Sequence, residues 1–163
     1  VGKSSLINAL TNRKNLARAS NTPGRTQQII FFNLAERLML ADLPGYGHAD
    51  APREQKDQWN NLVYQYLQSR PPLRCVCLLI DSRHGIKAND LSMMQFLDRA
   101  AASYKVVLTK LDQVRGLEHD TILKQVEAKL QKHKAARPGV LATSSEKNSG
   151  IDELRSFLMD FAI

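Results

Sequence analysis

Apolar and polar positions fall in blocks whose period changes along the chain. Residues 3–11 carry Leu6, Ile7 and Leu10 on one side at helical spacing. A polar, turn-rich stretch follows, TNRKNLARASNTPGRTQQ, which is long for a plain connection and of the kind that usually serves a function or moves. IIFFNL is β-branched and aromatic and predicts a strand. A second strand is expected at 37–42 after a tight turn, so that the two form a hairpin. DLPGYGHADAP is a further loop with glycines at 45 and 47. Residues 54–69 predict a helix with Trp59, Leu62, Val63, Tyr66 and Leu67 on one face, ended by Arg70-Pro71-Pro72.

The second half alternates more regularly. LRCVCLLID is an almost continuous apolar run, as expected of a strand buried on both faces in a parallel sheet. A helix is expected over 90–101 with Leu91, Met94, Phe96 and Leu97 largely inward. YKVVLTK predicts a strand, and residues 117–134 a helix with Ile122, Val126 and Leu130 recurring every fourth position. PGVLAT is the last strand and IDELRSFLMDF the last helix, with Ser149 as its expected N-cap and Asp152 three residues on. Alternating strands and helices argue an α/β fold: a mostly parallel sheet with one antiparallel edge strand, and helices on both faces. The 163 residues suit a single domain, and no internal repeat marks a second.

Composition narrows the partners. The formal net charge is +7, which favours polyanions such as nucleotide, nucleic acid or an anionic membrane surface, without choosing among them. Cys75 and Cys77 are the only cysteines, poorly spaced for a disulfide and read as buried free thiols of a reducing compartment. His48, His84, His119 and His133 show no metal-ligand spacing. No stretch is long and apolar enough to span a bilayer, so the expected location is cytoplasmic.

Four polar segments, GKSS, NTPGRT, DLPG and TKLD, with SSEK as a candidate fifth, stand where open α/β sheets collect ligands, at the ends of strands. GKSS at 2–5 has the form of the tail of a phosphate loop running into a helix. Lys3 would reach the β- and γ-phosphates, Ser4 would offer its hydroxyl to magnesium, and the helix N-terminus would favour the anion. DLPG places Asp42 opposite Ser4 to hold magnesium through water, and Gly45 allows a close approach of its N–H to a γ-phosphate. TKLD at 109–112 ends another strand. Asp112 has two acceptor oxygens, matching the N1–H and 2-amino donors of guanine, an arrangement adenine lacks. The stem of Lys110 would lie over the base, and the Ser145 N–H would meet guanine O6. Each segment alone is weak evidence, and their order and placement together are strong.

With these residues in view, the chain resembles a translation-factor-class GTPase, and within that class the EngB/YihA/YsxC family of bacterial GTP-binding proteins. The narrow signature is TPGRTQ at 22–27 with DLPGYG at 42–47 and TKLD at 109–112. The resemblance implies a P-loop NTPase (Ras-like GTPase) fold in one EngB-type G domain spanning 1–163, with the first strand and the front of the phosphate loop lying before Val1. It implies GTP or GDP and Mg2+ as ligands. Gly2, Lys3, Ser4 and Ser5 match the phosphate loop, and Ser4, Thr26 and Asp42 the magnesium site, with Thr22 a weaker rival to Thr26. Lys3, Thr26 and Gly45 match positions that act in turnover. Thr109, Lys110, Asp112, Ser144 and Ser145 match the guanine-binding loops.

Tyr46 stands where Ras-type enzymes carry a water-orienting glutamine, so intrinsic hydrolysis should be slow. Some relatives use potassium, through an asparagine in the front of the phosphate loop, a position that precedes Val1. Segments 12–26 and 43–56 are expected to change order between nucleotide states. Arg13, Lys14, Arg18 and Arg25 crowd the first of them, and Lys124, Lys129, Lys132, Lys134 and Arg137 the long helix and its exit. Such a surface suits an RNA backbone and is also ordinary solvated surface. The family resemblance implies a nucleotide switch acting in assembly of the large ribosomal subunit, with rRNA and ribosomal proteins as partners, a monomeric state and a part in division septum formation. The other reading is a signalling or traffic-type GTPase working through protein partners without RNA. A phosphate-loop kinase using ATP is disfavoured by TKLD.

Overall fold

A computed structural model describes residues 2–11, 30–34, 38–42, 58, 61–67 and 75–161. Its elements are helix α1 (Lys3–Thr11), strands β1 (Ile30–Leu34) and β2 (Leu38–Asp42), helical residues 61–67 (α2), β3 (Val76–Asp81), α3 (Ala88–Arg99), β4 (Tyr104–Thr109), α4 (His119–Leu130), β5 (Ala136–Ala142) and α5 (Ile151–Met159). β1 and β2 form an antiparallel hairpin in which Ile30 faces Asp42 and Leu34 faces Leu38. β3, β4 and β5 form a parallel sheet in that order. The expected α/β class, with antiparallel and parallel pairing and flanking helices, is observed, but among the described residues β1 and β2 pair only with each other rather than as an edge of the parallel sheet. Trp59, the Arg70-Pro71-Pro72 stop and the two expected mobile segments lie outside the described residues.

β4 is the centre: all six of its residues are buried. Side chains alternate faces along a strand, and the two cores divide accordingly. Leu78, Ile80, Tyr104, Val106 and Leu108 pack with Met93, Met94 and Leu97 of α3 and Val126 and Leu130 of α4. Val107, with Cys77, Leu79 and Leu141 beside it, packs on the other face against Leu6 and Leu10 of α1 and Ile151, Leu154 and Leu158 of α5. α1 is held further by Arg155 of α5. Its Nε donates to the Leu10 carbonyl at 3.1 Å and its Nη2 to the Ala9 carbonyl at 2.8 Å. A guanidinium there satisfies carbonyls that a helix C-terminus leaves without partners and complements the helix dipole.

Several local expectations need correction. The buried stripe of α3 runs through Met93, Met94 and Leu97, whereas Leu91 is 40% exposed and falls outside it at the N-terminal end. β5 begins at Ala136, two residues before the predicted Pro138. Ser149 is not the cap of α5: Gly150 is, with φ 71°, and makes no side-chain cap bond. The Ser149 backbone instead exchanges hydrogen bonds with Ser144, its N–H donating at 3.0 Å and its carbonyl accepting at 2.9 Å. Cys75 and Cys77 are free thiols, as expected, but both are half-buried and Cys75 precedes the strand.

The C-terminal ends of the parallel strands are level with one another. Asp81 pairs with Thr109 across β3 and β4, and Leu108 with Ala142 across β4 and β5. The loops that leave those ends therefore emerge side by side.

Candidate functional site

The site is built where α1 begins and β3, β4 and β5 end. α1 starts at once after Gly2, whose carbonyl accepts the Leu6 N–H at 3.0 Å. Gly2 has φ +88°, a conformation in which a side chain would be strained. A Cβ there would lie 3.5 Å from Lys110 Cε and 4.0 Å from Thr109 Cβ. The glycine of the GKSS segment and the lysine of the TKLD segment are thus neighbours in space. Lys3 and Ser4 are half-buried at the first turn, and Ser5 is exposed.

Lys110 itself has left-handed backbone (φ 57°, ψ 37°), and a short 3-10 turn, Leu111–Gln113, follows directly. That conformation is uncommon for a residue with a side chain, and it breaks the strand direction at the point where the loop must turn. The turn is pinned from β5: the Leu111 N–H donates to the Thr143 carbonyl at 3.0 Å. Thr143, fully buried, is fixed in turn by its N–H and hydroxyl, both donating to the Leu108 carbonyl at 2.8 Å.

Asp112 and the last loop are joined by one side-chain bond. The Ser144 hydroxyl donates to Asp112 Oδ1 at 2.7 Å and accepts the Lys147 N–H at 3.1 Å. Ser144 is 1% exposed, and its N–H is committed to Ser149. Its described bonds make it a brace for Asp112, whose Oδ2 takes no hydrogen bond among the described residues. Ser145 is half-buried beside it.

The structure brings Gly2, Lys3, Thr109, Lys110, Asp112, Ser144 and Ser145 to one end of the sheet. Asp42 is the last residue of β2, opposite Ile30. Thr26 and Gly45 lie outside the described residues. Two further residues belong to this end that the motif search passed over, Asp81 and Arg83. Asp81 closes β3, and its Oδ2 stands 3.7 Å from Lys110 Nζ. Arg83 holds the same carboxylate by Nη2 to Oδ2 at 2.8 Å, by Nε to Oδ1 at 3.1 Å and by its backbone N–H to Oδ1 at 3.0 Å. The only signal in the sequence is an acid at the end of an apolar strand with arginine two residues on, a pairing that usually means a local surface bridge. Ser82 between them is buried, and both its N–H (2.9 Å) and its hydroxyl (2.6 Å) donate to the Thr109 carbonyl.

Burial alone would push the Asp81 carboxyl up. The Arg83 hydrogen bonds and charge, with Lys110 behind them, outweigh it and hold the group at about 2. A carboxyl depressed in the folded state stabilises the fold above its unfolded value of about 3.9 and loses that contribution as pH falls toward the folded value. Asp81→Asn is therefore expected to melt below the wild type at pH 6. The gap, at most about 2 kcal/mol, should narrow steadily between about pH 4 and pH 2, measured by circular dichroism.

The GKSS segment leading into α1, the hairpin, the parallel sheet and the loops at its end fit one class, which the family comparison shows: a P-loop GTPase of Ras-like fold. Residues 1–110 match the family described as 50S ribosome-binding GTPase. The chain is 54% identical over 167 residues to the probable GTP-binding protein EngB of Rhodospirillum rubrum, covering 99% of this chain and 72% of that protein. It is 55% identical over 158 residues to the EngB of Ruegeria pomeroyi, covering 97% and 73%. Among solved structures, a probable GTP-binding protein EngB superposes with TM-score 0.68 at 19% identity, covering 99% of this chain and 92% of that one. Era in complex with MgGDPNP and a segment of 16S ribosomal RNA superposes with TM-score 0.77 at 21% identity, covering 100% and 53%. These two likenesses concern the fold.

The chain belongs to the EngB family of GTP-binding proteins. It is a GTPase that converts GTP to GDP and phosphate, and family membership carries with it the use of guanine nucleotide and Mg2+. Gly2, whose φ of +88° disfavours any side chain, and the Asp112 Oδ2 with no bond among the described residues are features that fit such a ligand. Among the described residues, no helix is long and apolar enough to cross a membrane.

Proposed function

We propose that this protein is a cytoplasmic, monomeric GTP switch, a single G domain over 1–163, which acts in assembly of the large ribosomal subunit and through it in normal septation. Gly2, Lys3, Ser4 and Ser5 hold the phosphates, and Ser4, Thr26 and Asp42 hold Mg2+. Gly45 meets the γ-phosphate, Lys3 and Thr26 offset its charge during transfer, and turnover is slow because Tyr46 cannot orient water as a glutamine would. Thr109, Lys110, Asp112 and Ser145 form the base site, with Ser144 behind Asp112. Potassium is a candidate additional cation.

The observation that carries the switch reading is the closeness of Gly2 to Lys110, a Cβ built on the one lying 3.5 Å from Cε of the other, which supports a single ligand shared by the phosphate and base segments. The ribosomal reading is supported by the description of the matching family, by the ribosomal RNA bound to Era, whose RNA is of the 16S kind, and by charge. Lys124, Lys129, Lys132 and Lys134 are all exposed on α4 and its exit, in a chain of net charge +7.

Co-sedimentation with large-subunit particles tests the reading. Binding should be stronger with a non-hydrolysable GTP analogue than with GDP, and should weaken by about tenfold or more when salt rises from about 50 to 200 mM, as counterion release requires. Absent binding, or binding indifferent to both nucleotide and salt, would overturn it.

A further inference from the structure

We infer that Asp81 is a positioning residue of the nucleotide site, acting through Lys110: its carboxylate anchors the Lys110 ammonium so that the alkyl stem is held beside Gly2 and in place for the base. The inference rests on the base-site reading given above and adds to it a residue outside the motifs that define it.

Three features support the assignment. First, among the described residues Asp81 is the one ionic partner of Lys110. Its left-handed backbone sends the side chain out of the β4 direction, the stem passes Gly2 with Cε 3.5 Å from a Cβ built there, and the ammonium reaches Asp81 Oδ2 at 3.7 Å. A lysine stem has four rotatable bonds, and a lysine whose ammonium is anchored keeps its methylenes along one surface at a smaller entropy cost on binding. Second, Asp81 is itself rigid. It ends a strand in register with Thr109, its side chain is 11% exposed, and Arg83 grips both oxygens. Third, Oδ2 has partners from two elements: Arg83 reaches it by Nη2 at 2.8 Å and by Nε at 3.3 Å, and the Lys110 ammonium beyond β4 lies 3.7 Å from the same oxygen. Arg83 Nη1 also lies 3.5 Å from Gln113 Oε1, so the cluster touches the base loop on both sides of Asp112.

The test is a double-mutant cycle on the intact protein, read by titration calorimetry with GDP and paired with thermal melts. Asp81→Asn removes the charge at nearly constant shape, and Lys110→Met keeps most of the stem without the ammonium. Each is expected to weaken GDP by roughly tenfold, with the double variant no weaker than the worse single, because both break one interaction. Losses that multiply, or an Asp81→Asn affinity within twofold of wild type, would overturn the inference. Asp81→Asn is expected to melt lower in either case, so the cycle decides: a merely structural Asp81 would give losses that multiply with those of Lys110→Met. Asp112→Asn with xanthosine diphosphate separates the inference from the reading beneath it. If that variant fails to accept the xanthine nucleotide, the base-site reading falls. If it accepts it, and adding Asp81→Asn leaves that affinity unchanged, only the role of Asp81 falls.

Discussion

Replacing Gly150 with alanine is expected to be the most destabilising single exchange in the described fold. A Cβ at that position would stand 2.0 Å from the Ala142 carbonyl oxygen and 3.2 Å from Thr143 Cα, both backbone atoms that no side-chain rotation can move. The residue also has φ +71°, which costs an L-residue about 1–2 kcal/mol before any clash. With the overpacking added, the loss should be about 3–5 kcal/mol, enough to lower the melting temperature by roughly 10 °C or more in a domain of this size. Asparagine, which tolerates left-handed backbone, is expected to do no better, because the collision is at Cβ. A melt of either variant within a few degrees of wild type would mean that α5 can shift away from β5 at little cost. Such a shift would also disturb the Ser144–Ser149 bridge and hence the brace on Asp112, so nucleotide affinity should fall with stability.

Asp112→Asn is expected to show the largest functional effect. One oxygen of Asp112 is fixed by Ser144 and the other has no bond among the described residues, so the carboxylate is aimed and rigid. On the proposed base-site reading, exchange for an amide would set a donor against the guanine N1–H and 2-amino group. A site built to bond particular groups rejects a mismatched partner strongly, and the loss of GDP and GTP affinity should be on the order of 10³-fold. Xanthine presents an oxygen where guanine has the 2-amino group, so xanthine nucleotides should gain. Calorimetry with both nucleotide sets checks this, and an unchanged guanine preference would remove Asp112 from the base site. Thermal stability should stay close to wild type, since Asp112 is exposed.

Much of this was readable from residues because the relevant forces are local or periodic. The six buried residues of β4 are an apolar run in the sequence, and the division of Val106 and Leu108 from Val107 follows from a period of two. The TKLD segment could be placed after a strand for the same reason. What could not be read depends on contacts between distant segments. Ser149 has the chemistry of a cap, yet the cap is Gly150, because the approach of Ala142 leaves no room for a side chain. Nor does the sequence disclose that the Ser144 hydroxyl braces Asp112, a bond between residues 32 apart. Asp81 carries no motif, and nothing in the neighbouring residues discloses that the register of β3 on β4 carries it to Lys110. Leu91 fits a helical face, but the stripe that meets the sheet is set by Met93, Met94 and Leu97.

The Arg155 clamp on α1 bears on the order in which the molecule is made. Its bonds to Ala9 and Leu10 span sequence separations of 146 and 145 residues, and the apolar face of α1 also rests on Ile151 and Leu154. A chain emerging from its N-terminus makes α1 among the first of these elements, yet the helix that fastens it comes last. During synthesis α1 therefore waits, and it can become firm only once α5 has been translated and has closed back on it.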